Sequence, residues 1–144
     1  MQRVEVMNAH PRYRLPKQPI RQYVRRVLGT REATISVVFI DSRRCRALNR
    51  EFLQHDYVTD VITFPLETRP RLEAEIYVNL DRARQQAREL KLSFREEVAR
   101  LVIHGTLHLM GYDDRAKHSA QRMFRAQERQ IRHWFPNEHR DKPT

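Results

Sequence analysis

The stretch from Val98 to Met110 constrains the fold of this chain more than any other, because it is apolar on nearly every side of a helix. Such a helix has no face suited to water, so other elements must cover most of it. Ser93 and Glu96 form the S-x-x-E pattern of a capping box just before this stretch. Gly111 follows at the place where a left-handed residue ends a helix. The sequence therefore predicts a central buried helix between the capping box and this glycine.

Four short segments before this helix have the composition of strands. Thr34–Ile40 is β-branched and almost wholly apolar, which is typical of a strand buried on both faces. Apolar and polar residues alternate over 73–80, which predicts a strand with one buried face. Shorter segments of this kind lie around Val4–Val6 and Val61–Phe64. Since helical periodicity fills most of the remaining chain, we predict an α+β fold, with a small mixed four-stranded sheet packed by about five helices.

The length of 144 residues predicts a single domain over residues 1–144, and the polar segment 136–144 is expected to be a flexible tail. Cys45 is the only cysteine, so an internal disulfide is excluded. With no signal-like apolar segment near the N-terminus, this favours the cytoplasm. No apolar run approaches the ~20 residues that span a bilayer, so no membrane partner is expected.

The charge of the chain gives the first indication of a partner. The formal net charge is +10, and 24 of the 28 basic residues are arginine. The planar guanidinium fits phosphate oxygens in bidentate fashion, and a positive field attracts polyanions. The composition therefore favours a nucleic acid over a small-molecule substrate, with charges that are merely solvated as the alternative.

His104, His108 and Asp114 form the pattern that carries chemistry. The two histidines are four residues apart, so a helix projects them from one face within reach of one ion at the ~2.0–2.1 Å of a zinc–nitrogen bond. Once Gly111 turns the chain back, Asp114 can supply a third ligand. The spacing reproduces the metzincin pattern H-E-x-x-H-x-x-G-x-x-H. We therefore predict one zinc ion per chain, held by three ligands with a position left for water.

Several alternatives to this site stay open. Metzincins carry their general base, a glutamate, directly after the first histidine, and Gly105 stands there instead, which argues against a peptidase. Asp113 and His118 are rival third ligands, ranked below Asp114 by spacing. A carboxylate ligand is harder than imidazole, so manganese or iron are alternatives to zinc. The competing interpretation is a pair of core histidines without a metal.

The segment from His104 to Asp114 reads H-G-T-L-H-L-M-G-Y-D-D and resembles the H-G-x-L-H-L-x-G-Y-D-H signature of the YbeY-type endoribonucleases, also called rRNA maturation factors. Leu48–Leu53 and Asp56–Pro65 resemble a second family pattern, L-N-x-x-[YF]-R-x-x-D-x-x-T-D-V-L-S-F-P. The resemblance implies a metal-dependent, single-strand-specific endoribonuclease in rRNA maturation and ribosome quality control. The implied partners are single-stranded RNA, rRNA and the ribosome or a ribosomal subunit, with no organic cofactor.

Two positions depart from the family patterns. Asp114 replaces the last histidine of the signature, which bears on the identity and affinity of the metal. Leu53 stands where the family has an arginine that faces the metal across a channel, and Arg50 or Arg115 are candidates to replace it. Asp60, in the T-D-V segment, is a candidate to line the site, with a cap or strand-end role as its alternative. The sequence identifies no general base, and a metal-bound water can serve as the nucleophile without one.

A non-catalytic function is the alternative to the nuclease. In that case the chain is an rRNA-binding ribosome-assembly factor in which the metal is a structural brace, and Leu53 favours it. A fourth protein ligand would indicate the brace, whereas an open coordination position and hydrolysis of single-stranded RNA would indicate the enzyme.

Overall fold

The computed structural model describes residues 1–54 and 58–138, and these residues form four strands and five α-helices. The strands are β1 (Gln2–Asn8), β2 (Ala33–Ile40), β3 (Val61–Glu67) and β4 (Leu72–Asn79). The helices are α1 (Lys17–Leu28), α2 (Ser42–Phe52), α3 (Leu80–Leu90), α4 (Phe94–Leu109) and α5 (Lys117–Trp134). The predicted α+β class, with a four-stranded sheet and five helices, is confirmed.

The sheet is mixed, with its strands in the order β1-β2-β4-β3. Strand β2 pairs in parallel with both β1 and β4, and β3 runs antiparallel to β4 at the edge. Successive side chains of a strand point to opposite faces, so β2 serves two cores. Ile35, Val37 and Phe39 join the larger core, whereas Val38 and Ile40 join the smaller one. This is why the apolar run of β2 is continuous rather than alternating.

Different helices cover the two faces of the sheet. Buried residues of α1, α3, α4 and α5 pack with the larger core, and α2 contributes Cys45 to the smaller core on the other face. The side chain of Asp41 accepts a hydrogen bond from the amide of Arg44 at 2.9 Å and caps α2. Helix α2 thus packs on the other face of the sheet, and its first residue, Ser42, meets the start of α3 at Asp81.

Helix α4 is buried along most of its length, as its composition predicts. The side chain of Ser93 accepts a hydrogen bond from the amide of Glu96 at 3.1 Å, so the helix begins where the capping pattern places it. Gly105 faces the sheet at very close range. A Cβ added there would lie 3.1 Å from Cγ2 of Ile76 and 3.3 Å from Cγ2 of Thr63. The helix approaches the sheet this closely because position 105 has no side chain.

The C-terminal end of the described chain is a short 3-10 helix, Pro136–Glu138, which follows buried Phe135. Residues 139–144 of the predicted tail lie outside the described residues. Within residues 1–54 and 58–138, no helix is long and apolar enough to cross a membrane.

Candidate metal centre

The end of α4 has the geometry that the sequence predicts for Gly111. Its φ is +103°, and its amide donates to the carbonyl of His108 at 3.1 Å. The amide of Tyr112 donates to the carbonyl of Leu107 at 3.1 Å. These two bonds form a Schellman motif, which turns the chain out of the helix. The loop that carries Asp113 and Asp114 therefore starts directly beside the last turn of α4.

His104 and His108 lie one turn apart on α4 but in different environments. His104 is half-buried, and its Nδ1 lies 2.8 Å from Oε1 of Gln127, a buried residue of α5. Within the part of the chain that the structure describes, the other ring nitrogen of His104 has no protein hydrogen-bond partner. His108 is exposed in the last turn of the helix. One histidine is therefore anchored, and the other is open to solvent.

The acidic residues of the following loop also differ from each other. Asp113 accepts hydrogen bonds from the amide of Arg115 at 3.1 Å and from its guanidinium at 3.4 Å. Hydrogen bonds from Ser119 and then from Arg115 hold the pKa of Asp113 below its usual value. Asp114 is exposed and makes none of these contacts. Asp113 is thus engaged locally, which leaves Asp114 as the better candidate ligand.

The structure does not bring a complete ligand set together. Among residues 1–54 and 58–138, no three histidine, cysteine, aspartate or glutamate side chains are placed to hold a metal ion. The site of His104, His108 and Asp114, and zinc as its metal, therefore stay predictions. The donor chemistry fits zinc, since two imidazoles and one carboxylate are a known zinc ligand set. A bond from Nδ1 of one histidine to a second residue is also the usual support of a metal-binding imidazole.

Asp60 has a structural role in the described contacts. Its carbonyl accepts a hydrogen bond from the amide of Asn79 at 2.8 Å, just before β3 begins. Its carboxylate accepts one from Nε2 of Gln86 on α3 at 3.2 Å. These bonds match the strand-end role that was its alternative. A role for Asp60 in lining the site stays a prediction.

The predicted arginine position lies at the end of α2. Leu53 caps this helix through its amide, which donates to the carbonyl of Asn49 at 3.0 Å, and its side chain is 40% exposed. Arg50 lies with two more arginines around an open cavity, which is lined by Ser42, Arg43, Arg46, Ala47, Arg50 and Val58. Arg115 instead belongs to the loop after α4. Residues 55–57 of the second family pattern lie outside the described residues.

Comparison with known proteins adds a decisive observation to this geometry. The family model described as "Endoribonuclease YbeY" matches residues 5–134, which includes all of α4 and the whole His104–Asp114 signature. The chain belongs to this family.

Curated relatives and a solved structure agree with the match to the YbeY family. A protein of Chlorobium phaeovibrioides named endoribonuclease YbeY is 39% identical over 121 residues, which cover 82% of each chain. One of Salinibacter ruber with the same name is 37% identical over 123 residues, 77% of this chain and 78% of its own. The solution structure of a Thermotoga maritima protein matches with a TM-score of 0.69, at 26% identity and over 96% of each chain.

Sequence reasoning missed the residues that support His104 in this chain. They are Gln127 and a cluster of charged residues below it, which we call the Arg100 cluster: Glu96, Glu97, Arg100 and Glu128. A signal was present, because Arg100 follows two glutamates at three and four residues on an otherwise apolar helix. Gln127 also sits at four-residue spacing between buried Met123 and Ile131. A polar residue in such an apolar stripe must find a partner inside the protein.

Proposed function

We propose that this chain is a single-strand-specific, metal-dependent endoribonuclease of rRNA maturation and ribosome quality control. The observation that carries the proposal is the state of His104, which is anchored through one ring nitrogen and keeps the other without a protein partner in the described chain. Membership of the YbeY family supports it, since the curated relatives are named endoribonucleases. The expected partners are single-stranded RNA and the ribosome or a ribosomal subunit.

His104, His108 and Asp114 would hold the metal, with zinc as the first candidate. When bound, the ion would supply positive charge for the phosphate and lower the pKa of a water molecule. The protein orients His104 through Gln127 and places His108 at the exposed end of α4. The residue directly after the first histidine is Gly105, which has no side chain and lies against the sheet, so this position offers no carboxylate base.

Basic residues support RNA as the substrate. The chain carries a net charge of +10, and three arginines of α2 line the open cavity described above. Arginine–phosphate contacts release condensed counterions from RNA, with a slope of about −0.7 in log K against log salt per neutralised phosphate. Binding to unstructured RNA is therefore expected to weaken steeply as salt rises, whereas a flat response would exclude charge as the basis of binding.

The proposed site is tested by metal content and RNA cleavage measured on the same preparations. We expect about one zinc ion per parent chain, a sharp loss in His104→Ala and His108→Ala, and a smaller loss in Asp114→Ala. His118→Ala, a substitution of an exposed histidine on α5, is the control and should keep its zinc. Cleavage of a labelled single-stranded RNA should fall with metal content and stop with a chelator. Full metal content in all three ligand variants would refute the site.

The alternative is a non-catalytic rRNA-binding assembly factor with a structural metal site. One observation favours it: Leu53, at the position of the family arginine, has no charge to stabilise a phosphate. A fixed cation at a transition-state oxygen can change a rate by ~10²–10³. We expect Leu53→Arg to raise metal-dependent cleavage at unchanged metal content, and the partial exposure of Leu53 gives the longer side chain room.

Arg50 provides the second half of this test. If Arg50 already supplies the missing cation, Arg50→Ala should lower cleavage in the parent protein. Both variants are compared with the parent on one single-stranded RNA, with a chelator control. No gain in a folded Leu53→Arg protein and no loss in Arg50→Ala would favour the assembly factor over the enzyme.

A further inference from the structure

Gln127 of α5 connects His104 to charged residues inside the protein. Its side chain is only 6% exposed. Oε1 lies 2.8 Å from Nδ1 of His104, and Nε2 lies 3.0 Å from Oε2 of Glu128. An amide has a donor end and an acceptor end, and so the partner at one end decides what the other end can bind. The state of His104 therefore depends on which way the Gln127 amide faces.

The Arg100 cluster fixes the direction of this amide. The guanidinium of Arg100 binds Glu128 through two nitrogens, at 2.8 and 2.9 Å, and contacts Glu96 at 2.8 Å and Glu97 at 3.1 Å. Burial alone would lower the pKa of Arg100, but its hydrogen bonds to Glu128 and Glu96 raise it, so the group stays charged. A carboxylate paired with a guanidinium in this way is ionised and only accepts hydrogen bonds.

The Arg100 cluster thereby determines which ring nitrogen of His104 carries the proton. Glu128 accepts a hydrogen bond from the NH₂ group of Gln127, so the carbonyl oxygen of the amide must face His104. That oxygen accepts a hydrogen bond only from a ring nitrogen that carries a proton. Nδ1 of His104 therefore bears the proton, and in the neutral ring the lone pair is on Nε2.

We propose that Gln127 is a positioning residue that holds His104 in the Nδ1–H tautomer and so reserves Nε2 of His104 for a metal ion. The metal-binding part of this inference rests on the function proposed above, whereas the tautomer does not. A supporting partner of this kind fixes the orientation of a metal-binding imidazole and raises its basicity, and its loss typically weakens metal binding 10–100-fold.

The test uses three variants of the full chain. Gln127→Leu removes the acceptor, Gln127→Glu keeps one, and Gln121→Leu makes the first change at an exposed glutamine of the same helix. Long-range ¹H–¹⁵N NMR spectra of metal-free protein report the tautomer of His104, with all variants measured at one pH of about 8. Zinc affinity is measured by competition with a chelator of known affinity, and urea unfolding confirms that each variant is folded.

We expect the Nδ1–H tautomer in the parent, in Gln127→Glu and in Gln121→Leu, with zinc affinity in Gln127→Glu at or above that of the parent. In Gln127→Leu the ring should populate both tautomers and bind zinc 10–100-fold more weakly. An Nε2–H tautomer in the parent would overturn the proposal, and so would parent-like zinc affinity in folded Gln127→Leu.

Two further outcomes keep the test decisive. If Gln127→Leu does not fold, Gln127→Glu decides the matter, because loss of the Nδ1–H tautomer in that variant would overturn the proposal. If the parent binds no zinc, the metal site of the proposed function fails. The Nδ1–H tautomer in that same sample would still support the positioning role of Gln127.

Discussion

His10 and His104 lie in two regions of the molecule and show two different uses of a shielded imidazole. His10 is 3% exposed; its Nδ1 accepts hydrogen bonds from the amides of Arg12 and Tyr13, both at 3.1 Å, and its Nε2 lies 2.8 Å from Asp81. Both ring nitrogens are thus bound inside the protein. Among the described residues, His104 is bound through Nδ1 alone. The number of ring nitrogens that the described protein binds therefore distinguishes the structural His10 from the candidate ligand His104.

The two histidines also hold their proton on opposite nitrogens. Nδ1 of His10 accepts two amide hydrogen bonds, so the proton lies on Nε2, where it donates to Asp81. The other oxygen of Asp81 accepts a hydrogen bond from the amide of Ser42 at 2.9 Å, which connects the segment after β1 to the starts of α2 and α3. The bonds of His10 and Asp81 thus link separate segments of the chain, whereas Gln127 and the Arg100 cluster orient a single side chain, that of His104.

The largest expected effect is the loss of stability on removing the cation of the Arg100 cluster. Arg100→Met removes the cation that Glu96, Glu97 and Glu128 share, and removing one partner of a buried ion pair typically costs about 3–5 kcal/mol. Urea unfolding measures this loss of stability. Arg125→Met, an exposed change on α5, is the control and should stay within about 0.5 kcal/mol of the parent. Equal stabilities in the two variants would show that the cluster does not stabilise α4.

A second, smaller effect compares the two histidines directly. His10→Ala leaves two amides and one carboxylate oxygen without a partner, and we expect a loss of about 2–3 kcal/mol with unchanged zinc content. His104→Ala removes one hydrogen bond, so its stability loss should be near 1 kcal/mol while zinc binding is lost. Urea unfolding and metal analysis on both variants decide it. Loss of zinc in His10→Ala would contradict the assignment of His10 as a structural histidine and His104 as the metal ligand.

The smallest expected effect is in the pH dependence of stability, which should have opposite signs for Asp81, beside His10, and for Glu97, in the Arg100 cluster. Burial alone would raise the pKa of Asp81, but its bonds with Ser42 and His10 lower it below 3.8. Its stabilising contribution is therefore complete above pH 3.8 and lost as the pH falls through the folded pKa. Burial raises the pKa of Glu97 above 4.5, against the effect of Arg100, so stability falls as the pH rises from 4.5 through the folded pKa.

The urea concentration at the midpoint of unfolding, measured between about pH 2 and pH 8, tests both predicted pH dependences. Asp81→Asn should flatten the loss of stability on the acid side, by less than about 1 kcal/mol because Asp81 is partly exposed. Glu97→Gln should flatten the decline at higher pH. Parent-like pH profiles in both variants would contradict both assignments.

Local patterns predicted the parts of the structure that depend on neighbours in sequence. The buried helix α4, its start at Ser93 and its turn at Gly111 follow from composition and capping, and the strand segments follow from their apolar patterns. The bond between His104 and Gln127 could not be predicted in this way, because it depends on how α5 packs against α4. The metal prediction likewise needs the position of the loop around Asp114 relative to α4, which no local pattern determines.

The close approach of Gly105 to Ile76 and Thr63 also bears on how this fold can evolve. Converting the signature into that of a metzincin takes two residues, a histidine at position 114 and a glutamate at position 105, but a glutamate at position 105 would be forced into the sheet. The helix would have to move outward, and both histidines would move with it. A peptidase therefore lies several coordinated substitutions away, with space opened in β3 and β4 before the glutamate arrives. In this chain, the packing of Gly105 against the sheet restricts the catalytic groups that can arise beside His104 and His108 on α4.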